Sequence, residues 1–125
     1  MPTVVVGYVP KPEGDAALDK AIEEARLRGA DLVVVHSHRE RGHEAEPDLA
    51  DVRARLEQAG VEFDIRQLVR GFEAAEDLVS VAESSDADLI VIGLRRRTPV
   101  GKLILGSNAQ RVLLDAHCPV LAVKA

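Results

Sequence analysis

The stretch Ala87-Asp88-Leu89-Ile90-Val91-Ile92-Gly93, followed by Leu94-Arg95-Arg96-Arg97-Thr98-Pro99-Val100-Gly101-Lys102-Leu103-Ile104-Leu105 and then Gly106-Ser107-Asn108, decides the fold. Its first part is an unbroken apolar run, as a strand covered on both faces requires, and it stops at Gly93. The middle is an arginine-rich connection, and Gly106-Ser107-Asn108 opens a helix that leads to a last apolar strand, Val120 to Val123. In open parallel sheets such connections lie outside the carboxyl ends of the strands, where helix N-termini present free amides and ligands settle.

Working outward, Ala30-Asp31-Leu32-Val33-Val34-Val35 repeats the pattern of Ala87 to Ile92 almost residue for residue, and Thr3 to Val9 is another β-branched, apolar run without alternation. Both predict buried strands. Between the runs lie helical stripes: Leu18, Ala21, Ile22 and Ala25 before Gly29; Leu49, Val52, Leu56 and Ala59 before Gly60; Ala75, Leu78, Val79 and Ala82 before Ser84-Ser85-Asp86. Ala109, Val112, Leu113 and Ala116 form the last stripe. By contrast, Val61, Phe63, Ile65, Gln67 and Val69 alternate with Glu62, Asp64 and Arg66, the pattern of a half-solvated strand at a sheet edge.

The order is therefore βαβαβαβαβ, and right-handed crossovers turn it into an α/β fold. The expectation is a single doubly wound five-stranded parallel sheet, strand order 3-2-1-4-5, with helices on both faces and one domain over residues 1–125. Such a sheet has its switch point between the first and fourth strands. The loop after Val9 then faces the loop after Ile92, and the pocket is expected between them.

Composition excludes several classes. A net charge of −5 argues against a nucleic-acid surface, and the local basic cluster of Arg95, Arg96, Arg97 and Lys102 suits a small anion better than a polymer. The apolar runs fall short of the ~20 residues of a membrane span. Met1-Pro2-Thr3 passes straight into Val4-Val5-Val6 without a basic or apolar leader, so a soluble, cytoplasmic protein is expected. Cys118 is the single cysteine and reads as a small buried hydrophobe beside Pro119.

His36 to Pro47 reads as a polar surface loop. His36, His38, His43 and Glu44 are of metal-ligating type, but their spacing fixes no tetrahedral geometry, and a solvated loop without metal is the expectation. Phosphoryl transfer or hydrolysis needs a metal-holding acid and a positioned base, whereas the two switch-point loops offer Val9-Pro10-Lys11 and arginines. No catalytic residue is therefore assigned and no enzyme is expected. A flavin or nicotinamide fingerprint is also missing after the first strand.

Gly93, two residues, Arg96, nine residues from Arg97 to Leu105, then Gly106-Ser107-Asn108 is a spacing that resembles the universal stress protein family. Val4-Val5-Val6-Gly7 with Asp15-Ala16-Ala17-Leu18, Arg111-Val112-Leu113 and His117-Cys118-Pro119-Val120-Leu121-Ala122-Val123 are similar to that family's first and last elements, so the likeness covers the whole chain. The resemblance implies the universal stress protein / adenine nucleotide alpha hydrolase-like fold and a cytoplasmic regulatory protein of the stress response. As ligand it implies ATP or a related adenine nucleotide, with Mg²⁺ accompanying it. The implied site comprises Gly7, Tyr8, Val9, Ser37, Ile92, Gly93, Arg95, Arg96, Gly106, Ser107 and Asn108, with Val69 as a further wall. Glycines let the backbone approach the ligand, and a helix start with Ser107 and Asn108 offers donors to phosphate oxygens.

Two positions depart from the family's pattern. Arg96 stands where a second loop glycine is usual; it either obstructs the approach or folds over phosphates as a charged donor. Val9-Pro10 stands where binding members carry an aspartate that contacts the nucleoside, and valine supplies no acceptor. The alternative function is accordingly a dimeric interaction module that binds no nucleotide. In either case the continuously apolar Val120 to Val123 reads as an edge that pairs with a second copy, giving a homodimer with Leu121 and Val123 or their neighbours at the contact.

Overall fold

The computed structural model describes residues 2–38, 49–69, 74–94 and 106–125. Nine elements alternate along them: β1 (Thr3–Gly7), α1 (Pro12–Arg28), β2 (Asp31–His38), α2 (Ala50–Ala59), β3 (Phe63–Val69), α3 (Ala74–Ser84), β4 (Leu89–Leu94), α4 (Ser107–Asp115) and β5 (Val120–Lys124). The strands form one parallel sheet in the order β3-β2-β1-β4-β5, as the alternation predicts.

Why the strands lack alternation is visible in how they are covered. Val4 and Val6 of β1 pack with Leu18, Ala21 and Ala25 of α1 and Val52 and Leu56 of α2. Val5, between them, joins Ala75, Leu78 and Ala82 of α3 and Val112 of α4 on the opposite face. Side chains alternate across a strand, so a strand roofed on both sides must be apolar at every position. α1 ends where Gly29 takes the left-handed conformation, φ 61°, and the Gly29 and Ala30 amides close onto the Arg26 and Ala25 carbonyls. Gly60 ends α2 in the same conformation, φ 72°.

Four boundaries or faces differ from the sequence expectation. β1 stops at Gly7 rather than Val9, because its ladders with β2 and β4 reach no further, although the Tyr8 amide still donates to the Val35 carbonyl at 2.9 Å. β2 runs past Val35 to His38, so His36, Ser37 and His38 belong to a strand and not to a surface loop. The cause is β3, whose Gln67, Leu68 and Val69 continue the pairing opposite those residues. β4 does not stop at Gly93 but continues through Leu94, held by pairing with Val123 and Lys124. Finally, Val112 is buried in α4 while Leu113 is 42% exposed and Leu114 83% exposed. Ala109, Val112 and Ala116 make the stripe that meets α3 and the sheet, and Leu113 lies on its flank, outside the cover.

Candidate functional site

Parallel pairing of β1 with both β2 and β4 makes β1 the switch point, and a cleft opens above its carboxyl end. Gly7, Tyr8 and Val9 line it from β1, Val35 and Ser37 from β2, and Ile92 and Gly93 from β4. Leu78 of α3 and Asn108, Ala109 and Val112 of α4 close the other side. About 150 Å³ of free space lies between these walls, which are mostly apolar. Small-molecule sites commonly take this form, an apolar cleft with a few polar groups.

Of the residues singled out in the sequence, Gly7, Tyr8, Val9, Ser37, Ile92, Gly93 and Asn108 thus meet in one cleft. Gly106 and Ser107 are the N-cap and first residue of α4, immediately before the cleft residue Asn108 in the chain. Arg95 and Arg96, with Arg97 and Lys102, lie outside the described residues, as do His43 and Glu44. Among the described residues no cluster of three histidine, cysteine, aspartate or glutamate side chains is arranged to hold a metal ion.

The start of α4 differs from the other helix starts. α1 has Glu13 and Asp15 in its first turn, α2 has Asp51, and α3 has Glu76 and Asp77. α4 has no acidic residue there and no side-chain cap, because its N-cap is Gly106. Among the described residues no side chain caps its first turn, whose amides carry a partial positive charge that favours an anion.

Two glycines admit close backbone approach beside the cleft. A Cβ at Gly93 would lie 2.0 Å from the Glu13 carbonyl oxygen, and one at Gly14 would lie 1.7 Å from the Val9 carbonyl oxygen. The first turn of α1 is pressed between the exit of β1 and the end of β4. The Cβ side of Gly93 thus faces the protein's own backbone, while the residue also lines the cleft.

Behind the cleft wall, His36 is 4% exposed and its Nδ1 lies 2.9 Å from the Tyr8 carbonyl. A carbonyl only accepts, so Nδ1 carries the proton and donates it, tying the exit of β1 to β2. The Tyr8 ring meets the imidazole edge-on, centroids 6.3 Å apart. Tyr8 Oη donates to Asp15 at 3.4 Å, and Asp15 also pairs with Arg55 of α2 at 3.4 Å. Arg55 holds Asp19 as well. Burial, and then the charge of Asp15, push the Tyr8 phenol above its ordinary value, so it stays a neutral donor. Burial and Asp88 likewise push the Cys118 thiol up, away from the thiolate that reactivity needs. The burial of His36, and of Asp77 in α3, is not evident from the local sequence pattern. Only the β3 pattern, long enough to pair with a longer β2, carried a signal for the first.

The sequence profile of the universal stress protein family matches residues 1–124. The chain belongs to the universal stress protein family. A universal stress protein of Mycolicibacterium smegmatis is 46% identical over 126 residues, covering 97% of this chain and 96% of that one. Among solved structures, a universal stress protein from Archaeoglobus fulgidus superposes with a TM-score of 0.78 at 39% identity, covering 99% of this chain and 98% of its own. Another structure of a universal stress protein from that organism, in complex with dAMP, gives a TM-score of 0.72 at 34% identity, covering 99% and 98%. No helix among the described residues of this universal stress protein is long and apolar enough to cross a membrane.

Proposed function

We propose that this universal stress protein binds an adenine nucleotide, ATP or a close relative, in the cleft above β1, as a regulatory ligand in the stress response. The observation that carries this reading is the uncapped, acid-free start of α4, which opens through Asn108 onto an apolar cleft at the switch point. Free amides there attract phosphate, and the apolar walls suit a flat base. The dAMP complex of the relative from Archaeoglobus fulgidus supports the same ligand class. Arg95 and Arg96, which by sequence belong to the connection between β4 and α4, would add phosphate donors. Mg²⁺ would accompany a triphosphate. The protein acts as a binder and not as an enzyme, a reading supported by the sequence of the two switch-point connections, Val9-Pro10-Lys11 and arginines, which supply no metal-holding acid. It works in the cytoplasm and as a two-fold dimer joined through β5, whose Val120 to Val123 lie only partly buried at the sheet edge.

Thermal unfolding with and without millimolar ATP and Mg²⁺ tests the ligand. A saturable rise in melting temperature is expected; a site filled to 100 times its Kd adds about 2.7 kcal/mol of stability. Gly106 has φ −68° and ψ 167°, which any residue adopts, so Gly106→Val leaves the backbone unstrained while crowding the phosphate end. That variant should lose the shift. No shift in the unmodified protein, and no calorimetric heat up to millimolar nucleotide, would favour the second reading, an interaction module without nucleotide. The specific observation behind that alternative is Val9, which lines the cleft and offers no side-chain acceptor.

A further inference from the structure

Among the described residues that line the cleft, Glu13 is the one with an acidic side chain. It stands in the first turn of α1 together with Asp15, where acids ordinarily serve the helix dipole. The two acids are placed differently. Asp15 turns to the protein itself, accepting from Tyr8 Oη and pairing with Arg55 of α2. Glu13 is seated against the end of β4: a Cβ built on Gly93 would lie 2.0 Å from the Glu13 carbonyl oxygen and 3.1 Å from the Glu13 Cβ. The chain is fixed on both sides of it, since the Lys11 amide donates to the Val9 carbonyl at 2.8 Å and the Asp15 amide to the Lys11 carbonyl at 3.0 Å. A carboxylate is thus held in the cleft wall from a rigid base.

An acid in an anion site calls for an explanation. Phosphate at the first turn of α4 would share about 150 Å³ of space with Glu13, and like charges so close repel. The conflict disappears if a neutral donor faces the carboxylate. In a 5′-nucleotide the sugar lies between phosphate and base, and its 2′ and 3′ hydroxyls are the donors of that middle unit. Gly93, beside which Glu13 is seated, belongs to β4, the strand that leads to α4, so Glu13 stands near the phosphate end of the cleft, where the sugar follows. We propose that Glu13 accepts hydrogen bonds from the ribose 2′ and 3′ hydroxyls and thereby selects nucleotides with a free ribose diol. A carboxylate only accepts, and its two oxygens suit two vicinal hydroxyls, as an acidic residue suits the ribose in dinucleotide-binding folds. Val9, at the exit of β1, has no acceptor to compete for them. Removing a hydroxyl deletes a donor, and a phosphate bridging the 3′ and 5′ positions both deletes one and sets negative charge against the acid. This assignment rests on the nucleotide reading above.

Calorimetry with ATP and with 2′,3′-dideoxyATP, on the unmodified protein, Glu13→Gln and Glu13→Ala, tests it. The unmodified protein should bind ATP about 10–100-fold more tightly than the dideoxy compound, the effect of hydrogen bonds to a charged group. In Glu13→Ala that ratio should fall to about one. Glu13→Gln, which keeps one acceptor oxygen without the charge, should give a ratio in between. The ratio separates recognition from a merely structural role, because loss of a helix-dipole acid lowers the melting temperature and leaves discrimination between the two ligands as it was. If the unmodified protein binds ATP and dideoxyATP equally well, the sugar hydroxyls are not read and the proposal is wrong while the nucleotide reading stands. A preference for ATP that survives in Glu13→Ala would assign the hydroxyls to another residue and overturn the proposal as well. Absence of ATP binding to the unmodified protein would remove both the nucleotide reading and this one.

Discussion

Gly93 shows how much a single hydrogen atom in place of a side chain can carry. Its missing Cβ admits the Glu13 carbonyl, and the missing Cβ of Gly14 admits the Val9 carbonyl, so two backbone contacts lock the first turn of α1 beneath the cleft. Neither obstacle is the far end of a flexible side chain, and neither can step aside alone. Gly93→Ala should therefore push α1 away from β4 and destabilise the protein by about 1–3 kcal/mol, the range for overpacking. Urea unfolding measures this. An unchanged midpoint would mean that the contact between α1 and β4 is looser than the geometry requires. A glycine's importance at this position was legible in the sequence, but its contact with α1 was not. Which backbone arrives beside a residue depends on the docking of a helix some eighty positions earlier in the chain.

At the scale of elements, α4 combines a weak helix start with a site. Its nine residues have a polar first turn without an acid, and the helix gains only Val112 as a fully buried anchor. An acid in that turn should help the helix and harm the anion. Asn108→Asp is accordingly expected to stabilise the ligand-free protein by about 0.3–1 kcal/mol through the helix dipole. The same change should weaken nucleotide binding, because the carboxylate would face the phosphates. Opposite signs in melting temperature and in calorimetric affinity would support the placement of phosphate at α4. Loss of both, or gain of both, would argue that the phosphate lies elsewhere. The extension of β2 belongs to this scale too: His36 and Ser37 look like loop residues by composition, and become strand residues because β3 offers them a partner.

For the whole molecule, the sheet order gives β5 one bonded neighbour, β4, among the described residues. Ile90 donates to the Pro119 carbonyl and the Ala125 amide donates to the Leu94 carbonyl, so alternate residues of β5 face β4 and the backbone groups of Val120, Ala122 and Lys124 point to the open edge. If two copies pair through this edge, Ala122→Pro should separate them without breaking the ladder to β4, since proline at an outward position removes only an outward donor. Sedimentation of the two proteins at micromolar concentration checks this. Dimer in the unmodified protein and monomer in the variant is the expected result; a monomer in both would refute pairing through β5. Leu114, 83% exposed on the neighbouring α4, is the control: Leu114→Ser should leave β5 pairing intact.

The element order, the parallel sheet and the place of the cleft are all legible in the sequence, because each follows from a local period. Runs such as Val4 to Val6 and Leu89 to Ile92 are apolar at every position only if both faces are roofed, and stripes such as Leu18, Ala21 and Ala25 exist only to face such a sheet. Contacts between distant segments left no such trace. The burial of His36 against the Tyr8 carbonyl, the exposed flank at Leu113, the carbonyl packed on Gly93 and the hydroxyl of Ser37 in an apolar wall each depend on which other segment comes to rest beside them. Periodicity records which side of an element is covered; the identity of the covering atoms is a property of the docked elements together, and it is there that the chemistry of the cleft is set.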